Sequence, residues 1–141
     1  MGLVSKLFGF LLLAAMFLFA NENLRFADSC YAVRAEGANG DKADIKNVHL
    51  MKDAYRKAME DSSILEKATE GYVKSYYFAF RFTRFDKNKR KIHLDSLKNI
   101  SEAAYLKFPK NKEISHIYAS SLSMWRSEER RVGKECRSRW S

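Results

Sequence analysis

The chain has 141 residues, of which 26 are Lys or Arg and 17 are Asp or Glu, so its formal net charge is +9. The positive residues are spread along the sequence and form no single stripe, which argues against a nucleic-acid-binding protein. The six glycines never cluster into a phosphate-binding loop, which argues against a nucleotide-binding enzyme of that type.

The first twenty residues have the layout of a secretory signal peptide. Lys6 precedes fourteen residues without a charge, 7–20, and polar sequence begins at Asn21. This run is shorter than the ~18–20 residues that cross a bilayer as a stable helix, which favours cleavage after Ala20. Leu18 is larger than the small residue preferred near a cleavage site, so an uncleaved signal anchor stays open. Either form predicts an exported protein that is periplasmic, secreted or membrane-anchored facing away from the cytoplasm, with membrane contact only through an uncleaved leader.

Residues 21–42 mix polar side chains with Gly37 and Gly40 and show no sustained hydrophobic period. A stretch of this kind cannot bury a continuous apolar face, so it is predicted to be a flexible linker. Cys30 is accordingly predicted to be an incidental thiol in a mobile segment.

Residues 43–125 are predicted to form a helical domain. Apolar side chains recur there at three- and four-residue steps, which places them on one face of each of four amphipathic helices. In the first helix the stripe is Val48, Met51, Tyr55, Ala58 and Met59. In the second, which starts at a capping box from Ser63 to Glu66, it is Leu65, Ala68, Tyr72, Tyr76 and Ala79.

The stretch from residue 76 to residue 94 also fits a β-hairpin. Tyr76, Phe78, Phe80 and Phe82 alternate with other residues, which is the two-residue period of a half-buried strand. A turn through the charged residues that follow would give an isolated hairpin, which is marginally stable at best. The helix is favoured because the stripe upstream runs into this stretch without a breaking residue.

The third and fourth helices are predicted on either side of Pro109, which ends the third helix. The third stripe is Leu94, Leu97, Ser101, Ala104 and Phe108. The fourth stripe is Ile114, Ile117, Tyr118, Ser121, Leu122 and Trp125, after Asn111 as the N-cap. The short polar connections between these helices predict antiparallel neighbours.

The sequence around Pro109 resembles the junction between two tetratricopeptide repeats. Ala104, near the end of one helix, precedes the proline turn, and the next helix carries a small residue, Ala119. Ala79 and Ala119 stand at corresponding places forty residues apart, whereas this repeat has a period of about 34 residues.

The resemblance covers about residues 64–125 and implies an all-α fold, a tetratricopeptide-like array of antiparallel helical hairpins. It implies that the concave face of the array binds a peptide or partner protein and performs no chemistry. At least three repeats are usually needed for stability, so the array is expected to be truncated.

Residues 126–141 resemble the translation of a common short-read sequencing-library adapter across all sixteen codons. They are therefore predicted to be an artefact tail, not native protein. Without them, 20 Lys or Arg and 14 Asp or Glu remain, and the net charge falls to +6. Cys30 is then the only cysteine, so no internal disulfide is predicted. The natural reading frame is expected to continue beyond Trp125.

Residues that could carry chemistry are sparse. His49, His93 and His116 lie far apart without metal-ligand spacing and are predicted to be surface or helix-edge residues. The glycosylation acceptor sequence from Asn99 to Ser101 falls on a helical stripe and is interpreted as a coincidence. No catalytic residue, metal, cofactor or small-molecule ligand is predicted.

The densest basic cluster consists of Lys87, Lys89, Arg90 and Lys91. A charge run of this kind is most simply a solvated loop. The alternative is a contact patch for an acidic partner or a membrane surface, and these four residues are therefore the candidate site.

Three functions are compatible with these features. The first is an exported helical-repeat protein that acts as a protein–protein interaction scaffold in a cell envelope. The second is the helical N-terminal region of a larger exported enzyme whose catalytic part is missing. The third is a membrane-anchored basic helical module that binds lipid at low salt. The first is favoured, with a protein or peptide partner and no nucleic acid.

Overall fold

The structure, a computed structural model, describes the backbone of residues 22–138 and the side chains of residues 22–131. The helical segments within this range are α1 (22–32), α2 (Ile45–Ala58), α3 (Leu65–Phe82), α4 (Lys87–Lys107) and α5 (Lys112–Ser138). The same range contains no β-strand, only an isolated bridge between Asn39 and Lys42. The all-α class is thus confirmed for the described residues, while the predicted signal sequence, 1–20, lies outside them.

The chain divides into two compact units. In the described part, the first unit consists of residues 22–38 and 43–72, and contains α1, α2 and the beginning of α3. The second unit consists of residues 39–42 together with the chain from Val73 onward. The boundary therefore falls inside α3, where the continuous helical period gives no sign of a division.

A helix, α1, occupies part of the segment 21–42, for which the sequence predicts a flexible linker. Ala27 and Cys30, three residues apart, are 0% and 5% exposed. The Tyr55 hydroxyl donates a hydrogen bond of 2.6 Å to Asp28 Oδ1. The linker prediction is wrong for α1 because its stabilising contacts come from a distant helix and require no long apolar period. Cys30 is likewise part of the core, and burial raises the pKa of its thiol.

The Tyr55 hydroxyl makes the first unit sensitive to alkali. Burial raises the pKa of Tyr55 far above its usual range, and the hydrogen bond to Asp28 raises it further. Because the folded state holds the neutral phenol, this stabilisation is complete below the usual tyrosine pKa of about 10 and declines as the pH rises above it. We expect the free energy of unfolding, measured with urea between about pH 8 and pH 11, to fall more steeply for the wild type than for Tyr55→Phe. Equal slopes would contradict the buried hydrogen bond.

α2 follows its predicted stripe. Asp44 caps the helix by accepting a hydrogen bond of 2.8 Å from the backbone N–H of Lys46. The buried residues of α2 are Val48, Met51, Ala54, Tyr55 and Ala58. Met59, also predicted in the stripe, is the C-cap and is half-buried. On α3, Gly71 leaves the space that the Tyr55 ring fills, since a Cβ at residue 71 would overlap that ring.

The start of α3 differs from the predicted capping box. The Ser63 hydroxyl donates a hydrogen bond of 2.7 Å to Asp61 Oδ1, and the Ser63 N–H donates to the same oxygen at 2.8 Å. Ser63 therefore belongs to a turn closed by Asp61, and the helix begins at Leu65.

The helical interpretation of residues 76–94 is confirmed. α3 continues to Phe82, residues 83–86 form a short connection, and α4 begins at Lys87. Asp86 caps α4, because its side chain accepts a hydrogen bond of 2.8 Å from the backbone N–H of Lys89. The cap explains why the chain starts a new helix at a charged stretch that carries no apolar stripe.

The core of the second unit contains side chains from α3, α4 and α5. Its fully packed members are Val73, Phe80, Leu94, Leu97, Ala104, Ile114 and Ile117. At the end of α4, the Phe108 N–H donates a hydrogen bond of 2.8 Å to the Ala104 carbonyl oxygen. Asn111 Oδ1 then accepts a hydrogen bond of 3.1 Å from the Ile114 N–H, as expected of the predicted N-cap. The four-residue connection 108–111 joins the two helices as antiparallel neighbours.

Side-chain hydrogen bonds cross the interface between α4 and α5. They join Ser101 Oγ to Ser121 Oγ at 2.8 Å, Trp125 Nε1 to Asp95 Oδ1 at 2.8 Å, and Tyr118 Oη to Glu102 Oε1 at 3.2 Å. Both serines are completely buried, and their small side chains allow the helices to approach closely. The serine of the glycosylation acceptor sequence is therefore a core residue, in agreement with its interpretation as a coincidence.

Candidate functional site

The four candidate basic residues form the first turns of α4. Lys87, Lys89, Arg90 and Lys91 are all exposed and helical. The simple expectation of a solvated loop is therefore wrong, because Asp86 caps the segment and starts the helix. A helical backbone holds the four side chains at fixed angular intervals of about 100°, so they do not all share one direction.

Helical spacing separates the patch into two groups. Arg90 and Lys91 follow Lys87 by three and four residues and therefore lie on its side of α4, whereas Lys89 is turned away from them. The Lys89 ammonium lies 3.5 Å from Asp86 Oδ2. Arg90 places its guanidinium over the Phe80 ring, 4.3 Å from the ring centroid. This contact fixes Arg90 against α3 while its charge remains at the surface.

Arg90 and Lys91 lie on the wall of a cleft with a volume of about 420 Å³. Its apolar lining consists of Phe80, Leu94 and Met124, and its polar lining consists of Arg81, Arg90, Lys91, Ser123, Ser127, Glu128 and Arg131. All of these residues belong to the second unit. The cleft thus combines an apolar lining with four cationic groups and one carboxylate.

The carboxylate of Glu128 is held by the positive charges of the cleft. Arg131 donates to both of its oxygens, from Nε to Oε2 at 3.2 Å and from Nη2 to Oε1. This hydrogen bonding lowers the pKa of Glu128, and the charges of Arg131, Arg90 and Lys87 lower it further. Arg131 and the neighbouring positive charges therefore stabilise the ionised form of Glu128.

His93 lies next to the cleft in a cluster of aromatic rings. Its ring stacks on Tyr76 with centroids 5.3 Å apart and on Phe85 with centroids 4.8 Å apart. Its Nε2 lies 3.2 Å from the Tyr76 carbonyl oxygen. His93 therefore fits the predicted helix-edge position, and its contacts tie the connection after α3 to α4. His49 and His116 are exposed.

The sequence indicates only part of this site. Arg81 and the apolar lining do not stand out in it, because Phe80, Leu94 and Met124 belong to three different helices. The sequence does place Phe80 at helical spacing within α3 and Leu94 four residues after Arg90 on α4. These spacings identify the lining of the cleft only when α3 and α4 are known to pack as a hairpin. Within the described residues, no three His, Cys, Asp or Glu side chains are grouped so that they could hold a metal ion.

Comparison with known proteins gives no further assignment. The chain matches no protein-family model, no curated protein and no solved structure. In the part of the chain that the structure describes, no helix has the length and apolar character needed to cross a membrane.

Proposed function

We propose that this chain is an exported helical-repeat protein that acts as an interaction scaffold for protein or peptide partners in a cell envelope. The observation that carries the proposal is a difference between two small residues at corresponding places. Ala79 is completely buried, whereas Ala119, forty residues later, is exposed. In a stacked helical array such residues face a neighbouring helix. The side of α5 around Ala119 is therefore a surface on which a further helix can pack.

The connections between the helices support the same proposal. Residues 83–86 join α3 to α4, and residues 108–111 join α4 to α5, so each connection has four residues. Short connections of this kind belong to arrays of antiparallel helices. The signal-like layout of residues 1–20 supports the export part of the proposal.

Long-read sequencing across the codons after Trp125 tests the repeat architecture. Further helical pairs at intervals of about 34–40 residues would support the scaffold. A domain with paired acids, a nucleophile or metal ligands would instead make the helices described above an accessory part of an exported enzyme. If the codons of residues 126–141 reappeared unchanged in independently prepared libraries, the adapter assignment would be wrong.

Site-specific photo-crosslinking in cells that export the full chain tests the scaffold role. We expect a photoreactive amino acid at Ala119 to give discrete adducts with partner proteins, because this position lies on the proposed packing face. The matched control is the same amino acid at Arg56, an exposed position on α2. Adducts of equal yield at both positions, or at neither, would contradict a partner surface on α5.

A further inference from the structure

The cleft of the second unit contains an acidic side chain presented by a helix. Glu128 projects from α5, where Arg131 of the same helix donates hydrogen bonds to its carboxylate, and the charges of Arg90 and Lys87 on α4 also act on it. Arg81, Arg90 and Lys91 line the same cleft, and its apolar lining gives the aliphatic part of an incoming side chain a place to bury. The arrangement therefore already accommodates a carboxylate on a helical backbone.

We infer that this cleft, defined by Phe80, Arg81, Arg90, Lys91, Leu94 and Met124, binds an acidic amphipathic helix of a partner protein, whose carboxylates replace that of Glu128. The inference rests on the proposed scaffold function and names the chemistry of its partner. Lys87, beside the cleft, extends the positive field that attracts such a helix.

Charge complementarity and shape favour a protein helix over a membrane. Arg81 and Arg90 carry planar guanidinium groups, which bind carboxylates through two parallel hydrogen bonds. The apolar lining includes Phe80, whose ring lies beneath the Arg90 guanidinium, so it is recessed below the charges. A lipid surface is broad, and it is bound better by a protruding apolar face flanked by basic residues. A recessed apolar lining suits individual side chains such as leucine.

The position of Glu128 gives the inference an internal control. The charges of Arg90 and Lys87 act on the Glu128 carboxylate, so this carboxylate competes with the carboxylates of an acidic helix added in solution for the same positive field. Removing this charge leaves the positive field of Arg90 and Lys87 uncompensated, so the added helix is attracted more strongly. The two kinds of substitution therefore have opposite effects: loss of the competitor strengthens binding, and loss of the cations weakens it.

Fluorescence anisotropy of a labelled peptide with the full chain tests the inference. The probe is a synthetic helix of about 18 residues, with Glu on one side and Leu on the other. Its control is the same peptide with every Glu replaced by Gln, which requires no change to the protein. In a separate experiment, binding of the full chain to vesicles of phosphatidylserine and phosphatidylcholine is measured, which detects a membrane-binding surface.

We expect Arg90→Gln with Lys91→Gln to weaken binding of the Glu peptide about tenfold and Glu128→Gln to strengthen it about threefold. Matched controls are Lys110→Gln with Lys112→Gln, which remove two charges at exposed positions outside the cleft, and Glu129→Gln. These controls should stay within about twofold of the wild type. Raising the salt from about 50 mM to about 300 mM should weaken binding of the Glu peptide more than that of the Gln peptide.

Equal affinity for the Glu and Gln peptides would overturn the inference, and so would vesicle binding without peptide binding. Circular dichroism of each variant separates lost binding from lost folding. If Arg90→Gln unfolds the chain, the comparison of the Glu and Gln peptides on the wild type still decides the question. Failure of peptide binding with intact crosslinks at Ala119 would overturn this inference alone. Peptide binding in a chain whose recovered sequence encodes an enzyme would overturn the scaffold function and leave the cleft assignment standing.

Discussion

Replacing Leu97 by alanine is expected to lower the free energy of unfolding by about 2–5 kcal/mol. Leu97 is completely buried in the core of the second unit, where it packs with Leu94 and Ile114. The substitution removes apolar side-chain contacts and leaves a cavity that helices held at both ends cannot fill by relaxing. Urea denaturation followed by circular dichroism at 222 nm measures the change.

Leu106 provides the matched control for Leu97 on the same helix. Its side chain is 75% exposed, so Leu106→Ala removes the same atoms without creating a cavity. We expect this control to change the free energy of unfolding by no more than about 0.5 kcal/mol. Similar losses for the two variants would mean that the core of the second unit is not packed around Leu97.

Gly71→Ala should be nearly as damaging as the loss of Leu97. A Cβ at residue 71 would overlap the Tyr55 ring, so the ring must move and its hydroxyl must leave Asp28. Overpacking lowers the free energy of unfolding by about 1–3 kcal/mol, and loss of the hydrogen bond to the carboxylate lowers it by about 1.5–3 kcal/mol. The higher helix propensity of alanine raises it by about 1 kcal/mol. The expected net loss is about 1.5–5 kcal/mol, measured by the same denaturation experiment.

Two controls isolate the steric cause at Gly71. At the exposed position Lys67 on α3, alanine should be more stable than glycine by about 1 kcal/mol, which is the ordinary helix preference. In a Tyr55→Leu background most of the penalty of Gly71→Ala should disappear, because the clashing ring is gone. An undiminished penalty in that background would place its cause outside the contact between the two helices.

The helices that carry their own apolar stripe could be predicted from the sequence. In α4 and α5 the predicted residues Leu94, Leu97, Ser101, Ile114 and Ile117 are all buried. Their spacing alone specifies the buried face, because residues three and four apart lie on one side of a helix.

α1 and the close approach of α2 to α3 could not be predicted in the same way. α1 depends on the buried pair Ala27 and Cys30 and on a hydrogen bond to Tyr55, and the close approach depends on Gly71. These contacts join residues that are far apart in sequence. The spacing of apolar residues along one helix does not specify which other helix will pack against it.

The candidate site shows the same limit. The run from Lys87 to Lys91 is visible as charge, but its helical conformation depends on the cap supplied by Asp86. The packing of Arg90 on Phe80 depends on the hairpin that α3 and α4 form. The charges of the cleft can therefore be read from the sequence, whereas its shape depends on tertiary structure.

The hydrogen bonds between α4 and α5 define the register of the hairpin. The pairs Asp95–Trp125 and Glu102–Tyr118 are both centred on residue 110, and the buried Ser101–Ser121 pair is centred on residue 111. An extra residue in the connection 108–111 would leave every pair facing its partner. An extra residue inside α4 would rotate all side chains on one side of it by about 100° and separate the pairs there from their partners. The hairpin is therefore tolerant of length changes at its tip and intolerant of them along its helices.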